Sequence, residues 1–144
     1  MARRSTLDNL TFLPLQSAER FSSLLSAGDI HLVVQRKEAA DLVMPSKLTN
    51  ILAAGRPFVA TAIPETELGR VTSESQAGIL VPPEDGGALA QAIIQLSADE
   101  NLVRRMGEKA RPYAEAHLNR DTILGRLEKL LYQIAKIEGV EALD

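Results

Sequence analysis

Short apolar runs alternate with amphipathic stretches along most of this chain. Ile30-His31-Leu32-Val33-Val34, Pro57-Phe58-Val59-Ala60-Thr61 and Gly78-Ile79-Leu80-Val81 are rich in β-branched residues and carry no carboxylate, Lys or Arg. Runs of this kind suit strands buried on both faces of a parallel sheet. A further short strand is predicted over residues 9–13, ended by Pro14. Between the runs lie helical patterns. Ser17 caps one over 17–26, with Phe21, Leu24 and Leu25 inward and Gly28 at its end. Pro45-Ser46 opens another over 47–54, which Gly55 terminates. A third is predicted over 67–76.

Beyond Pro82-Pro83 the pattern is helical throughout. Asp85 caps a helix whose apolar face is Leu89, Ala92, Ile93 and Leu96. Asp99 caps the next, with Leu102, Met106, Ala110 and Tyr113 on one stripe; Pro112 inside it predicts a kink. Asn119 or Asp121 opens the last. Its apolar positions, Ile123, Leu124, Leu127, Leu130, Leu131, Ile134 and Ile137, keep a 3.6-residue period and predict core or interdomain packing. The expected fold is α/β: a Rossmann-like parallel sheet of about four strands with flanking helices and a helical C-terminal third.

Composition narrows the chemistry. The 144 residues fit one domain, and 45% hydrophobic content supplies a core. With aromatics at 3%, that core must be aliphatic, which suits helix-on-sheet packing. A net charge of -3 argues against nucleic acid as a partner. There is no cysteine, so disulfides, thiolate catalysis and Cys-based zinc sites are excluded. Two histidines, His31 and His117, make a poor basis for a metal site, and none is expected. No apolar run reaches the ~20 residues of a membrane span, and no signal-peptide stretch follows Arg3-Arg4. A cytoplasmic protein is the expectation.

In open parallel sheets, ligands bind beyond the carboxyl ends of the strands. Three loops are predicted there: 35–44, 63–67 and 14–17, the last with Gln16 exposed. The first leads into Met44-Pro45-Ser46-Lys47-Leu48-Thr49-Asn50. A helix N-terminus offers free N–H groups and about half a positive charge. Ser46 adds a hydroxyl, Lys47 a full charge, and Asn50 lies one turn further on the side Ser46 faces. Together they suit a phosphate or diphosphate with a sugar hydroxyl nearby. The same residues also fit a plain cap and a solvated charge.

Other candidates read as structural. His31 falls in a buried strand, as a satisfied core histidine does. His117 lies near a helix end, where it meets terminal carbonyls. Glu65 and Glu67 read as exposed carboxylates of a loop, and Arg36-Lys37 as solvent contacts.

The stretch from Asp41-Leu42-Val43-Met44-Pro45-Ser46-Lys47-Leu48-Thr49-Asn50 through Gly55-Arg56-Pro57 to Val59-Ala60-Thr61 resembles the donor-binding signature of family 4 glycosyltransferases. So do Gly78-Ile79-Leu80-Val81-Pro82-Pro83-Glu84-Asp85, Ala88-Leu89-Ala90, and Met106-Gly107 with Ala110-Arg111. Within that family it is similar to the branch used in colanic-acid and other exopolysaccharide assembly. The likeness runs from Leu10 to about Leu131. It implies the C-terminal, nucleotide-sugar-binding half of a two-Rossmann-domain (GT-B) hexosyltransferase. Such an enzyme transfers a sugar to a saccharide or lipid-linked acceptor, usually with retention and without a metal or other cofactor. Ser46 and Lys47 would hold the donor diphosphate. Asn50, Thr49, Asp41 and Gln16 would meet the nucleotide or sugar. No catalytic residue is identified.

The sequence departs from the family pattern of two glutamates seven residues apart. Asn50 stands at the second position and Leu42 at the first, where only Asp41 or Glu38 offers a nearby carboxylate. The resemblance also implies that residues 1–144 are a single partial domain. It starts at the third strand, so the first two strands and the acceptor-binding domain are absent, and the isolated chain has little activity. In the order 3-2-1-4-5-6 the strand at 30–34 then loses its neighbour. Either 9–13 moves in beside it or an open edge drives self-association. The partners implied are a nucleotide-sugar, the acceptor, and the absent N-terminal domain or a second copy, at the inner face of the membrane. The alternative is a non-catalytic nucleotide-sugar or phosphate-binding module that works with a partner chain.

Overall fold

The computed structural model describes residues 9–37 and 44–135. The element order is α1 (Ala18–Ala27), β1 (His31–Val33), α2 (Ser46–Ala53), β2 (Phe58–Thr61), α3 (Glu67–Ser75), β3 (Gly78–Val81), α4 (Gly86–Ala98), α5 (Glu100–His117) and α6 (Arg120–Ala135). The sheet is parallel, in the order β1-β2-β3. His31 stands opposite Phe58, and Phe58 opposite Gly78. All four residues of β2 are buried, as expected of a central strand covered on both faces.

Two helical layers cover the sheet. On one face Leu48, Ile51 and Leu52 of α2, Leu68 and Val71 of α3, and Ala110, Tyr113 and Ala114 of α5 pack with Phe58 and Ala60. On the other, Val59 and Val81 meet Ala92 and Leu96 of α4, with Leu102 and Met106 of α5 at the margin. Helix α5 therefore crosses from one layer to the other beneath the strand N-termini. Its Gly107 lies so close to the end of α2 that an added Cβ would stand 2.7 Å from the Gly55 carbonyl oxygen. Gly55 has φ +68°, the left-handed position that ends a helix without steric cost to glycine.

Side-chain caps fix the helix starts. Thr66 Oγ1 accepts from the Gly69 N–H and donates to the Ile63 carbonyl. Asp85 accepts from the Ala88 N–H, and Asp99 from the Leu102 N–H. Each such cap contributes about 1 kcal/mol.

The structure departs from the sequence expectations in three places. The sheet has three strands among the described residues, because 9–13 is not a strand: it is coil, with Phe12 85% exposed, and pairs with nothing in the sheet. Of the inward positions expected on α1, Leu25 is buried while Phe21 and Leu24 are exposed. The apolar stripe of α6 is 47–71% exposed from Ile123 to Ile134, so of the core and interdomain packing expected of it the core alternative does not hold among the described residues.

Candidate functional site

Parallel strands deliver their carboxyl ends to one side of the sheet. Here that side holds the residues after Val33, Thr61 and Val81. The exits of β1 and β2 are tied together. Thr61 Oγ1 accepts from the Gln35 N–H at 2.8 Å and donates to the Gln35 carbonyl at 3.0 Å. Thr61 is itself buried, so this two-way bond is shielded from water. The sequence signal for it is a hydroxyl on the last residue of an otherwise apolar strand.

Helix α2 starts at the same end. Pro45, at its N-cap, is extended (φ −64°, ψ 119°), and no side chain among the described residues caps the helix. Pro45 accepts from the Leu48 N–H at 3.0 Å through its carbonyl. Ser46 is thus the first helical residue rather than the cap, and both Ser46 and Lys47 are exposed in the first turn. A bare first turn leaves N–H groups and the positive end of the helix dipole facing solvent. Asn50, one turn on, is exposed as well. Lys47 has a partner of its own: Nζ donates to the Leu32 carbonyl at 3.1 Å. The His31 N–H bonds the Pro57 carbonyl, so the groups of Leu32 turn the other way, to the outer edge of β1. Lys47 therefore folds over an edge that no strand covers among the described residues. A charged lysine is a usual guard there.

The structure brings Ser46, Lys47 and Asn50 together at one helix start. Thr49 is half-buried and turns toward α5, lining a hollow of about 230 Å³ with Ala114 and Leu118. Gln16 bonds locally, its Nε2 donating to the Pro14 carbonyl at 2.8 Å. Asp41, Leu42 and Glu38 lie outside the described residues. His31 donates or accepts through Nε2 at the Leu25 carbonyl, 2.8 Å away, as a structural histidine does. His117 stacks on Tyr113 with ring centroids 4.5 Å apart.

Glu67 is the first residue of α3 rather than a loop carboxylate, and it has an ion partner. Arg70 bridges Glu67 at 2.5 Å and Glu74 at 2.6 Å, and the Tyr113 hydroxyl donates to Glu74 at 2.9 Å. The Arg70 guanidinium holds both carboxyls below their usual range, helped at Glu74 by Tyr113. Burial, and then Glu74, push the Tyr113 hydroxyl up. Two larger hollows lie away from the α2 start. One of about 860 Å³ runs beneath the strand N-termini between Asp29, Arg56 and α5; one of about 870 Å³ follows β3. No group of three His, Asp or Glu among the described residues is placed to hold a metal ion, and no helix there is long and apolar enough to cross a membrane.

The chain's relatives bear on what this end of the sheet is for. The model of the family described as Glycosyl transferases group 1 matches residues 1–99. An Escherichia coli (strain K12) protein bearing the name colanic acid biosynthesis glycosyl transferase WcaI is 45% identical over 126 residues, 86% of this chain and 30% of that protein. N-acetyl-alpha-D-glucosaminyl L-malate synthase of Bacillus anthracis is 30% identical over 132 residues, 90% of this chain and 32% of that one. Among solved structures, sucrose-phosphate synthase from Thermosynechococcus elongatus superposes with a TM-score of 0.71 at 26% identity, over 88% of this chain and 30% of that one. The three-stranded parallel sheet and its helices match a GT-B glycosyltransferase fold. The chain spans about a third of the length of the curated relatives it matches. With more than half of its residues inside the family model, the chain belongs to the group 1 glycosyl transferases.

Proposed function

We propose that this chain is the donor-binding domain of a hexosyltransferase that moves a sugar from a nucleotide-sugar to a saccharide or lipid-linked acceptor. The observation that carries the reading is the uncapped start of α2, with Ser46 and Lys47 exposed at the carboxyl end of the sheet. An anion placed there would meet backbone N–H groups and the Ser46 hydroxyl, and the Lys47 ammonium when it swings from the Leu32 carbonyl. As the glycosidic bond to the donor breaks, negative charge grows on the departing diphosphate. Donors already aimed at that point stabilise the transition state more than the ground state. Asn50, exposed one turn along, is assigned to a ribose or sugar hydroxyl. Thr49, Asp41 and Gln16 are assigned to the nucleotide and sugar on the family resemblance. The reaction proposed is retaining and metal-independent, on the cytoplasmic side and peripheral to the membrane. The acceptor is held by a first domain or a partner chain, and residues 1–144 act as one domain with it.

Titration calorimetry with UDP- and GDP-sugars on the chain and on Lys47→Ala tests the site. A lost charge-assisted bond weakens binding roughly tenfold to a hundredfold. Equal affinity of the two proteins removes Lys47 from the site.

A further inference from the structure

The second edge of the sheet, at β3, differs from the first. The Phe58 N–H bonds the Ala77 carbonyl at 3.2 Å, and Phe58 stands in register with Gly78. Alternate residues of a strand direct their backbone groups to opposite sides. Ala77 and Ile79 therefore face β2, while Gly78 and Leu80 present N–H and C=O groups outward. Both Gly78 and Leu80 line the hollow of about 870 Å³ between α3 and α5. Its α5 wall carries Arg105 and Lys109, one turn apart, and its α3 wall carries Arg70 and Glu74. Three cations thus face one carboxylate, in a chain whose net charge is -3. Arg70 is held by Glu67 and Glu74, and Lys109 donates to the Gln76 side chain. Arg105 is in no ion pair among the described residues.

We propose that this hollow takes a short, extended, acidic segment of another protein, laid along β3 as an added strand. The outward groups of Gly78 and Leu80 supply the main-chain hydrogen bonds of such an addition. Residues two apart in a strand point the same way about 6.7 Å apart. Residues four apart on a helix have Cβ atoms about 5–6 Å apart. Carboxylates at alternate positions of the segment therefore match the spacing of Arg105 and Lys109. Leu102 and Met106 on α5 give the wall an apolar part. The surface lies on the opposite edge from Lys47, so the inference stands apart from the sugar-donor reading.

Fluorescence anisotropy with labelled acetyl-Thr-Val-Glu-Val-Glu-Val-Thr-amide tests it, run beside the same peptide with lysines for glutamates and one with N-methylated valines. The expected result has three parts. The chain binds the glutamate peptide at least about tenfold more tightly than the lysine peptide. The double variant Arg105→Glu, Lys109→Glu reverses that preference while its circular dichroism stays unchanged. N-methylation, which removes strand donors but no charge, weakens binding by about tenfold. Absence of binding, indifference to the charge reversal, or equal binding of the N-methylated peptide would each overturn the proposal.

Discussion

Helices α2 and α6 carry the same apolar periodicity and meet opposite fates. In α2, Leu48, Ile51 and Leu52 are wholly buried between the sheet and α5. In α6, Ile123, Leu124, Leu127, Leu130, Leu131 and Ile134 stay largely in solvent. The difference lies in chain connectivity. Helix α2 is the crossover between two adjacent parallel strands, so its return path lies against the sheet. Helix α6 comes after α4 and α5, which already cover the sheet faces left open by α2 and α3, and no later strand among the described residues draws it back onto the sheet. A 3.6-residue stripe thus declares which face of a helix wants cover and leaves open what supplies it. The uncovered stripe of α6 is a contiguous apolar surface of the kind that marks an interface.

The sharpest way to break this comparison is to truncate one leucine in each helix. Leu52→Ala is expected to cost about 2–5 kcal/mol, since the cavity it leaves lies in a packed core. Leu130→Ala is expected to stay within about 0.5 kcal/mol of the parent. Urea unfolding followed by circular dichroism measures both, and similar losses would mean that α6 is packed after all. Glycine substitutions should give opposite signs. Gly107→Ala would push a methyl to 2.7 Å from the Gly55 carbonyl oxygen, where α5 crosses the end of α2. A cost of about 1–3 kcal/mol follows. Gly125→Ala in α6 meets nothing within 4 Å and should stabilise by up to about 1 kcal/mol through helix propensity.

The smallest effect concerns charge on the packed half. Glu67 and Glu74 have lowered pKa values because of Arg70. A depressed carboxylate adds stability that is present above its unfolded pKa and lost as pH falls through the folded one. The pair therefore sharpens acid unfolding below the ordinary carboxylate range. These side chains are about half exposed, so solvent screening keeps the effect small. Arg70→Met should lower the neutral plateau of a pH-stability curve slightly and leave its acid end in place, so that the acid limb becomes shallower; an unchanged limb would remove the cluster from the account.

Much of the fold was legible because its strands are short apolar runs closed by Pro and Gly. Gly78 to Val81 and the caps Asp85 and Asp99 lie where local chemistry puts them. Residues 9–13 misled because Leu10, Phe12 and Leu13 look strand-like, yet a strand exists only beside a partner. Phe21 and Leu24 misled for the same reason as α6: no surface arrives to cover them. At the candidate site, Pro45 located the helix start, and Ser46, Lys47 and Asn50 followed from it. The bond from Lys47 to Leu32 was not legible, since it depends on which edge of the sheet is open. The turn of Thr49 toward α5 was hidden as well, because the crossing of α2 and α5 joins segments some sixty residues apart in sequence.

The two-way bond between Thr61 and Gln35 has a consequence for how ligand preference can vary. It pins the residue that leaves β1 to the end of β2, with one hydroxyl serving both backbone groups of a single residue. The connection onward to Pro45 therefore departs from a fixed root. A segment rooted at both ends can be lengthened, shortened or exchanged with little disturbance to the strands that carry it. On the proposed donor-binding reading, preference for one donor over another changes by rewriting that connection while the strands beneath it stay as they are.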